Sequence, residues 1–323
     1  MSIDLASLAA APALIRVRDG DADKLTLWRD RVLRDLSLAA DVRVRTLDRL
    51  LALPLDEARS LLEGPEVTAL PVLDPSGLQW LAAAESQEVW ASGVTYLQSR
   101  EARIEEAAVK NIYTMVYDAE RPELFFKCAG WRVVPDGGKI GIRPDSAWNV
   151  PEPELAVLSN ARGEVVAYAC GNDMSSRSIE GENPLYLPQA KVYDASCSIG
   201  PAAVLAWNLD PDGTEIQMTI TRDGEEVFSG ASKLSDMVRK PEELTGVLHS
   251  AYTLPAGAWL LTGTCIVPAP PYTSLPGDVI RIRIAGIGEL HNVVAAVAHS
   301  GAFAPPRHPA PDARKQRTEE GSK

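Results

Sequence analysis

Residues 151–177 read PEPELAVLSNARGEVVAYACGNDMSSR, and this stretch decides the fold. Leu155 to Leu158 and Glu164 to Ala169 are apolar runs, and Ala161-Arg162-Gly163 between them is a turn signal, so the segment reads as a β-hairpin. Glu152 and Glu154 stand just before its first strand. In extended backbone residues i and i+2 point to the same face, so both carboxylates face one point while Pro151 and Pro153 point away and stiffen the chain. Proline cannot donate to a ladder, which predicts that this segment lies at an edge or at the mouth of a sheet.

Working outward, the pattern repeats. Ile216 to Thr221 and Glu226 to Ser229 flank Asp223-Gly224, a second hairpin signal. Val279 to Ile284 alternates branched apolar residues with arginines, the mark of a half-exposed strand, and Ile287-Gly288-Glu289 turns the chain into a further strand over His291 to Ala298. Leu124-Phe125-Phe126-Lys127 begins another. Helical spacing occurs over Ser99 to Asp118, closed by Pro122, and a second helix is expected over Pro241 to Tyr252. Many strands with short turns and few helices predict an α+β protein with a β-rich main domain built from hairpins. The amino-terminal part differs. Ala13 to Arg18 reads as a strand before the Asp19-Gly20-Asp21 turn, and leucines between Arg45 and Leu62, interrupted by Pro54, predict two short helices with one apolar face. The expected organisation is a small α/β amino-terminal domain over 1–85, a catalytic domain over 86–304 and a disordered tail over 305–323, where prolines and charges replace apolar residues.

The chain has 323 residues, 46% of them hydrophobic, which is ample for a buried core. Its formal charge of −12 repels phosphates, so nucleic acid is excluded as a partner, although a bound divalent cation can reverse the sign locally. No apolar stretch reaches membrane-span length, and the amino terminus lacks the basic region of a secretory signal, so a soluble cytoplasmic protein is expected. Cys128, Cys170, Cys197 and Cys265 contain no CxxC pair and are expected as reduced thiols.

The chemistry gathers around the hairpin. Two like charges held together cost energy unless a cation or a proton sits between them; for the glutamate pair alone the alternative is a solvated acidic edge. Asp173 follows the second strand and adds a third carboxylate, its alternative role being to form a turn. Three carboxylates without a nearby His or Cys select a hard ion, Mg²⁺ first, with Mn²⁺ and Ca²⁺ as alternatives. His249, His291, His299 and His308 all lie downstream without zinc-like spacing and are expected to be structural. Lys191 is either a surface charge after a proline-bounded loop or, beside a metal, a group that holds an enolate oxygen or acts as a base. In Leu260 to Pro268, Gly263 permits close backbone approach and Thr264 offers a hydroxyl and an amide; a simple glycine turn is the alternative.

Taken together, these blocks resemble the fumarylacetoacetate hydrolase family over about residues 90–300. The resemblance is carried by Glu152-Pro153-Glu154, by Gly171-Asn172-Asp173-Met174-Ser175-Ser176-Arg177, by Lys191, and by Ser198-Ile199-Gly200-Pro201, Thr262-Gly263-Thr264 and Pro276-Gly277-Asp278-Val279, in that order. It implies a mixed β-roll catalytic domain that forms a homodimer or higher homo-oligomer. It also implies that Glu152, Glu154 and Asp173 ligate Mg²⁺, that Lys191 lines the active site, and that Thr264 and Arg177 bind substrate.

Within the family, the chain is most similar to members that dehydrate 2-keto-3-deoxy sugar acids. The similarity lies in Val116-Tyr117-Asp118-Ala119 leading to Arg121-Pro122-Glu123, in Phe125-Phe126-Lys127, in Glu182 to Gln189, and in the short spacing of 19 residues from Glu154 to Asp173 and 18 onward to Lys191. Two departures stand out: no histidine precedes residue 249, so the family hydrolases' His-Glu dyad cannot form in its usual place, and Ser178 follows Arg177 where the family often has Asp. The resemblance therefore implies conversion of a 2-keto-3-deoxypentonate to 2,5-dioxopentanoate. Lys191 would take the C3 proton or hold the enolate oxygen. Glu123 would protonate the departing C4 hydroxyl, its alternative being an ion pair with Arg121. Acylpyruvate hydrolysis, oxaloacetate decarboxylation and dienoate isomerisation at the same site, or non-catalytic binding of a keto acid, are the alternative functions.

Overall fold

The computed structural model describes residues 8, 10–93, 95, 96 and 119–298. The expected helix over Ser99 to Asp118, the tail over 305–323, His299 and His308 lie outside the described residues.

Strands come in chain order as β1 (Ala13–Asp19), β2 (Ala22–Arg29), β3 (Val32–Asp35), β4 (Val72–Leu73), β5 (Gln79–Trp80), β6 (Glu88–Gly93), β7 (Glu123–Ala129), β8 (Lys139–Ile142), β9 (Asn149–Val150), β10 (Pro153–Ser159), β11 (Val165–Asp173), β12 (Ser175–Ser176), β13 (Cys197–Leu205), β14 (Glu215–Arg222), β15 (Glu225–Lys233), β16 (Ala258–Leu261), β17 (Val279–Ile284) and β18 (Gly288–Ala296). Among the described residues helices are few and short: α1 (Leu47–Leu51), α2 (Leu55–Glu63), α3 (Pro65–Thr68), α4 (Arg177–Glu182), α5 (Leu187–Lys191) and α6 (Pro241–His249).

An 11-stranded sheet runs β4-β3-β2-β1-β13-β11-β10-β16-β6-β7, with β5 paired to β1, and a 5-stranded sheet runs β15-β14-β17-β18-β8. The two sheets face each other across one core. Ile15, Leu155, Val157, Tyr168 and Val204 of the large sheet meet Ile216, Met218, Ile280, Ile282 and Val294 of the small one. On its other face the large sheet packs Ala156, Leu158, Ala169, Ile199 and Trp259 against Leu47, Leu50, Leu51 and Leu62 of the amino-terminal helices. With both faces covered, β10 and β11 are buried at every position, which explains why they read as unbroken apolar runs rather than alternating ones. Alternation survives where one face meets solvent, as in β17. The β14–β15 turn places Asp223 at φ 52 and Gly224 at φ 86, the doubly left-handed turn whose twist suits a tight hairpin.

Of the edge and the mouth expected as alternatives for the glutamate segment, the structure has the mouth, and it also shows where the amino-terminal strands pair. The glutamate segment is not at an edge, because β10 pairs with β11 on one side and β16 on the other. Pro153 is tolerated because it occupies the first position of the strand, at the sheet's mouth, where its missing N–H is not needed. The amino-terminal strands, in turn, do not build a sheet of their own: β1 pairs with β13, as Leu14 opposite Ala203. Their helices are also fastened to the central hairpin turn, where Leu51 accepts from the Ala161 amide at 2.8 Å, Leu53 from the Asn160 side chain at 2.9 Å, and Glu164 from the Leu55 amide at 2.9 Å.

This shared core is testable. Leu51→Ala removes a fully buried side chain at the junction, and should cost about 2–5 kcal/mol. In urea, tryptophan fluorescence and circular dichroism should shift together to a lower midpoint. Separate early loss of the amino-terminal part, with the rest unmoved, would instead mark an independent domain.

Candidate metal centre

The hairpin register assembles the carboxylates. Glu154 lies opposite Gly171, and the Asp173 amide donates to the Glu152 carbonyl at 3.0 Å, so the residues entering β10 and leaving β11 come side by side. Glu152, Glu154 and Asp173 are each at most 2% exposed. One ligand atom from each lies within 4.8 Å of the others. Gly171 lets the third strand close in: a Cβ there would sit 2.4 Å from a Leu261 methyl. Gly263, at φ +91, brings its N–H to Glu154 Oε2 at 2.6 Å, and a Cβ at that position would strike Thr95.

Positive charge arrives from three other elements. Lys191 ends α5, a helix rather than the loop expected, and its Nζ donates to Glu152 Oε2 at 2.8 Å, Asp173 Oδ2 at 3.0 Å and Ser175 Oγ at 2.6 Å. Arg177 opens α4 and places Nη2 2.8 Å from Glu152 Oε1, with Glu180 one turn on at 3.8 Å. Ser178, where the family often has Asp, is turned instead to Ser146 at 2.8 Å. Sequence reasoning missed Lys127 as a site residue. It is fully buried in β7, forms an ion pair with Asp173 Oδ1, and donates to the carbonyls of Met174 at 3.0 Å and Lys191 at 2.5 Å. Its one signal is a lysine inside the run Leu124-Phe125-Phe126-Lys127-Cys128, with no polar neighbour to give it a solvent face. Glu180 was missed as well, and its sign, an acidic residue three after an arginine on a short helix, is weak.

Among the described residues, three cations thus face four buried carboxylates. The imbalance shows at Glu154, where burial first, then the charges of Asp173 and Glu152, hold the carboxyl well above its ordinary value despite Lys191 and the Gly263 N–H. A site short of positive charge, with oxygen donors only, fits a hard divalent cation, and Glu152, Glu154 and Asp173 are the residues that would hold it.

The surrounding cavity is also lined by Ser92, Gly93, Glu123, Phe125, Leu187 and Thr264, besides Arg177, Glu180, Lys191 and Gly263. Glu123 is the first residue of β7 and stands opposite Gly93, so the strand rather than a helix end carries it. A Cβ on Gly93 would lie 2.0 Å from its carboxylate. Thr264 is buried at the wall, its hydroxyl accepting from the Ile266 amide at 3.2 Å. The structure therefore brings Glu123, Glu152, Glu154, Asp173, Arg177, Lys191 and Thr264 around one space. His249 and His291 lie elsewhere, bonded to Ser159 at 3.0 Å and Asp136 at 2.8 Å. All four cysteines are free thiols. Among the described residues no helix is long and apolar enough to cross a membrane.

Comparison with known proteins adds independent findings. Residues 105–295 match the family described as fumarylacetoacetate (FAA) hydrolase C-terminal. A Haloferax volcanii protein named "probable 2-keto-3-deoxyxylonate dehydratase" is 46% identical over 268 residues, which is 83% of this chain and 89% of that protein. The 2-dehydro-3-deoxy-D-arabinonate dehydratase of Saccharolobus solfataricus is 38% identical over 237 residues, 72% of this chain and 77% of that one. Among solved structures, 2-keto-3-deoxy-D-arabinonate dehydratase complexed with magnesium and 2,5-dioxopentanoate superposes with a TM-score of 0.76 at 31% identity, covering 89% of this chain and 100% of that chain.

The charge imbalance sets a pH dependence. Without an ion, the folded protein keeps a proton on Glu154 that the unfolded chain releases near the ordinary value of 4.5, so folded stability falls as pH rises from there toward the raised value. A divalent cation displaces that proton, so its stabilisation grows with pH across the same window. At one fixed concentration, about a hundred times the dissociation constant at about pH 8, Mg²⁺ should add about 2.7 kcal/mol at that pH and less at lower pH. Calorimetry of chelator-treated protein should show an upward shift in Tm of several degrees that is larger at about pH 8 than at about pH 5. A shift independent of pH would contradict the assignment of Glu154 as a ligand.

Proposed function

The chain belongs to the fumarylacetoacetate hydrolase family, and on that premise we propose that it is a Mg²⁺-dependent dehydratase converting a 2-keto-3-deoxypentonate to 2,5-dioxopentanoate. The observation that carries this reading is the buried carboxylate trio with Lys191 touching two of its members inside one cavity. The named dehydratase relatives support the choice of substrate class. Solution of one such dehydratase with magnesium and 2,5-dioxopentanoate supports the metal and the product.

The reaction removes a proton from C3 and hydroxide from C4, leaving an unsaturated 2-keto acid that still bears the C5 hydroxyl; its tautomer is 2,5-dioxopentanoate. Bound Mg²⁺ supplies Lewis-acid polarisation of the 2-keto acid oxygens, which acidifies C3–H. Lys191 is held as an ammonium by Glu152, Asp173 and Ser175, which together take all three of its donors. Sharing those carboxylates with a cation would weaken their hold on the ammonium; Lys191 would then release one proton to solvent and, as the neutral amine, accept the proton from C3. Glu123, on the cavity wall, delivers a proton to the departing C4 hydroxyl, which requires a neutral carboxyl in a closed site. Arg177 and Thr264 orient the substrate from the opposite elements α4 and the segment after β16. Phe125 and Leu187 give the cavity apolar wall that limits water. Hydrolysis through a His-Glu dyad is disfavoured, since the described cavity lining contains no histidine and none precedes His249 in the chain. The free thiols suit a reducing cytoplasm, and a homodimer or higher homo-oligomer is proposed from the family likeness.

Purified protein with Mg²⁺ and 2-keto-3-deoxypentonates of either C4 configuration should yield 2,5-dioxopentanoate, read as its semialdehyde. Absence of product from both epimers would sink the pentonate assignment, and turnover of an acylpyruvate instead would favour hydrolysis. Lys191→Met should lower kcat by about 10²–10⁴-fold while Mg²⁺ still binds, and Glu123→Gln should lower kcat comparably with little change in KM.

A further inference from the structure

Each carboxylate of the trio has one oxygen already fastened to the protein. Asp173 Oδ1 is paired with Lys127, Glu152 Oε1 lies 2.8 Å from Arg177 Nη2, and Glu154 Oε2 accepts from the Gly263 N–H at 2.6 Å. The second oxygens of Glu152 and Asp173 are held by Lys191, from the cavity side. Lys127, by contrast, is fully buried and is not part of the cavity wall. Its ammonium is spent on fixed atoms: Asp173 Oδ1 and the carbonyls of Met174 and Lys191. A charge buried this deeply cannot leave its partner without a large desolvation penalty, so Lys127 stays where it is when the cavity side of Asp173 changes.

This arrangement bears on which ion the site prefers. Ca²⁺ takes six to eight oxygens and commonly uses carboxylates in pairs of oxygens, whereas Mg²⁺ demands a near-octahedral set and keeps several waters. Three carboxylates that each offered one oxygen would suit an ion that keeps several waters. A larger ion would want second oxygens that are already taken. We infer that Lys127 is a metal-selectivity residue: by holding Asp173 Oδ1 from behind, it confines Asp173 to single-oxygen ligation and so favours Mg²⁺ over Ca²⁺. The inference rests on the trio's being a divalent-cation site, as proposed above.

Calorimetric titration of chelator-treated protein with MgCl₂ and with CaCl₂ tests it without any assay of turnover. The wild type should bind Mg²⁺ at least as tightly as Ca²⁺; tighter binding of Ca²⁺ overturns the inference, and binding of neither ion overturns the metal-site reading itself. Lys127→Met frees Asp173 Oδ1 and should raise the ratio of Ca²⁺ to Mg²⁺ affinity by about tenfold. The ratio is the informative quantity. Loss of one positive charge strengthens both ions alike, and a merely structural defect weakens both alike, so an unchanged ratio in either case refutes the selectivity role. If Lys127→Met lacks a native melting transition, Lys127→Gln keeps a polar side chain beside the Met174 and Lys191 carbonyls while removing the charge paired with Asp173 Oδ1, and it is read by the same ratio, with the same outcome for and against.

Discussion

Three carboxylates cannot be buried side by side unless positive charge is buried with them, and much of this fold answers that requirement. The ordinary penalty for taking charges out of water is several kcal/mol per ion. Here β7 contributes Lys127, α4 contributes Arg177 and α5 contributes Lys191. Each comes from a separate piece of chain that approaches the end of the β10–β11 hairpin. The cations therefore tie elements together as well as offset charge: Lys127 bridges β7 to the carbonyl of Lys191 in α5. Even so, the positive charge falls short, and the shortfall is concentrated at Glu154, whose carboxyl stays well above the ordinary range. A site finished to this degree invites a cation rather than merely tolerating one.

The hairpin can serve as foundation because it is central. β10 is flanked by β11 and β16, and both faces of this region are covered by core. Rigid, packed strands set the carboxylates within a narrow range of positions, which a surface loop could not do. Close approach then depends on small residues. Gly171 admits Leu261, and Gly263 admits its own backbone to Glu154. Two of the buried cations, Arg177 and Lys191, come instead from the shorter elements α4 and α5.

A good deal of this was legible in the sequence. The two hairpins, the half-exposed β17 and the paired short helices around Pro54 all arise from local pattern, because turn chemistry and period are local properties. The same-face placement of Glu152 and Glu154 comes from the period of a strand, and the structure brings Asp173 and Lys191 to them. The illegible features depended on contacts far apart in the chain. Whether Pro153 sits in an edge or a central strand depends on β16, more than a hundred residues away in sequence. Lys127 reads as the polar end of an aromatic strand until its partner Asp173 is placed beside it, 46 residues on. The amino-terminal segment differs in composition from the remainder of the chain, yet shares its sheet through β1 and β13, and composition carries no information about sheet partners.

That pairing has a consequence for how the molecule is made. Leu14 in β1 finds its partner in Ala203, so about 190 residues must be synthesised before the Ala13 to Ile15 part of the β1 edge is covered, while β5 reaches Val17 and Arg18 sooner. At about 5–20 residues per second, β1 to β4 wait on the order of ten seconds or more as a short meander with an open edge. The parallel pairing of β6 with β16, Glu88 against Ala258, lengthens the delay for the opposite side of the sheet. Non-local pairings of this kind slow folding and expose strand edges to other chains in the interval. The carboxylates, Lys127 and Lys191 all precede β13 and β16 in the chain, so every one of these charged groups is translated before the sheet around them can close.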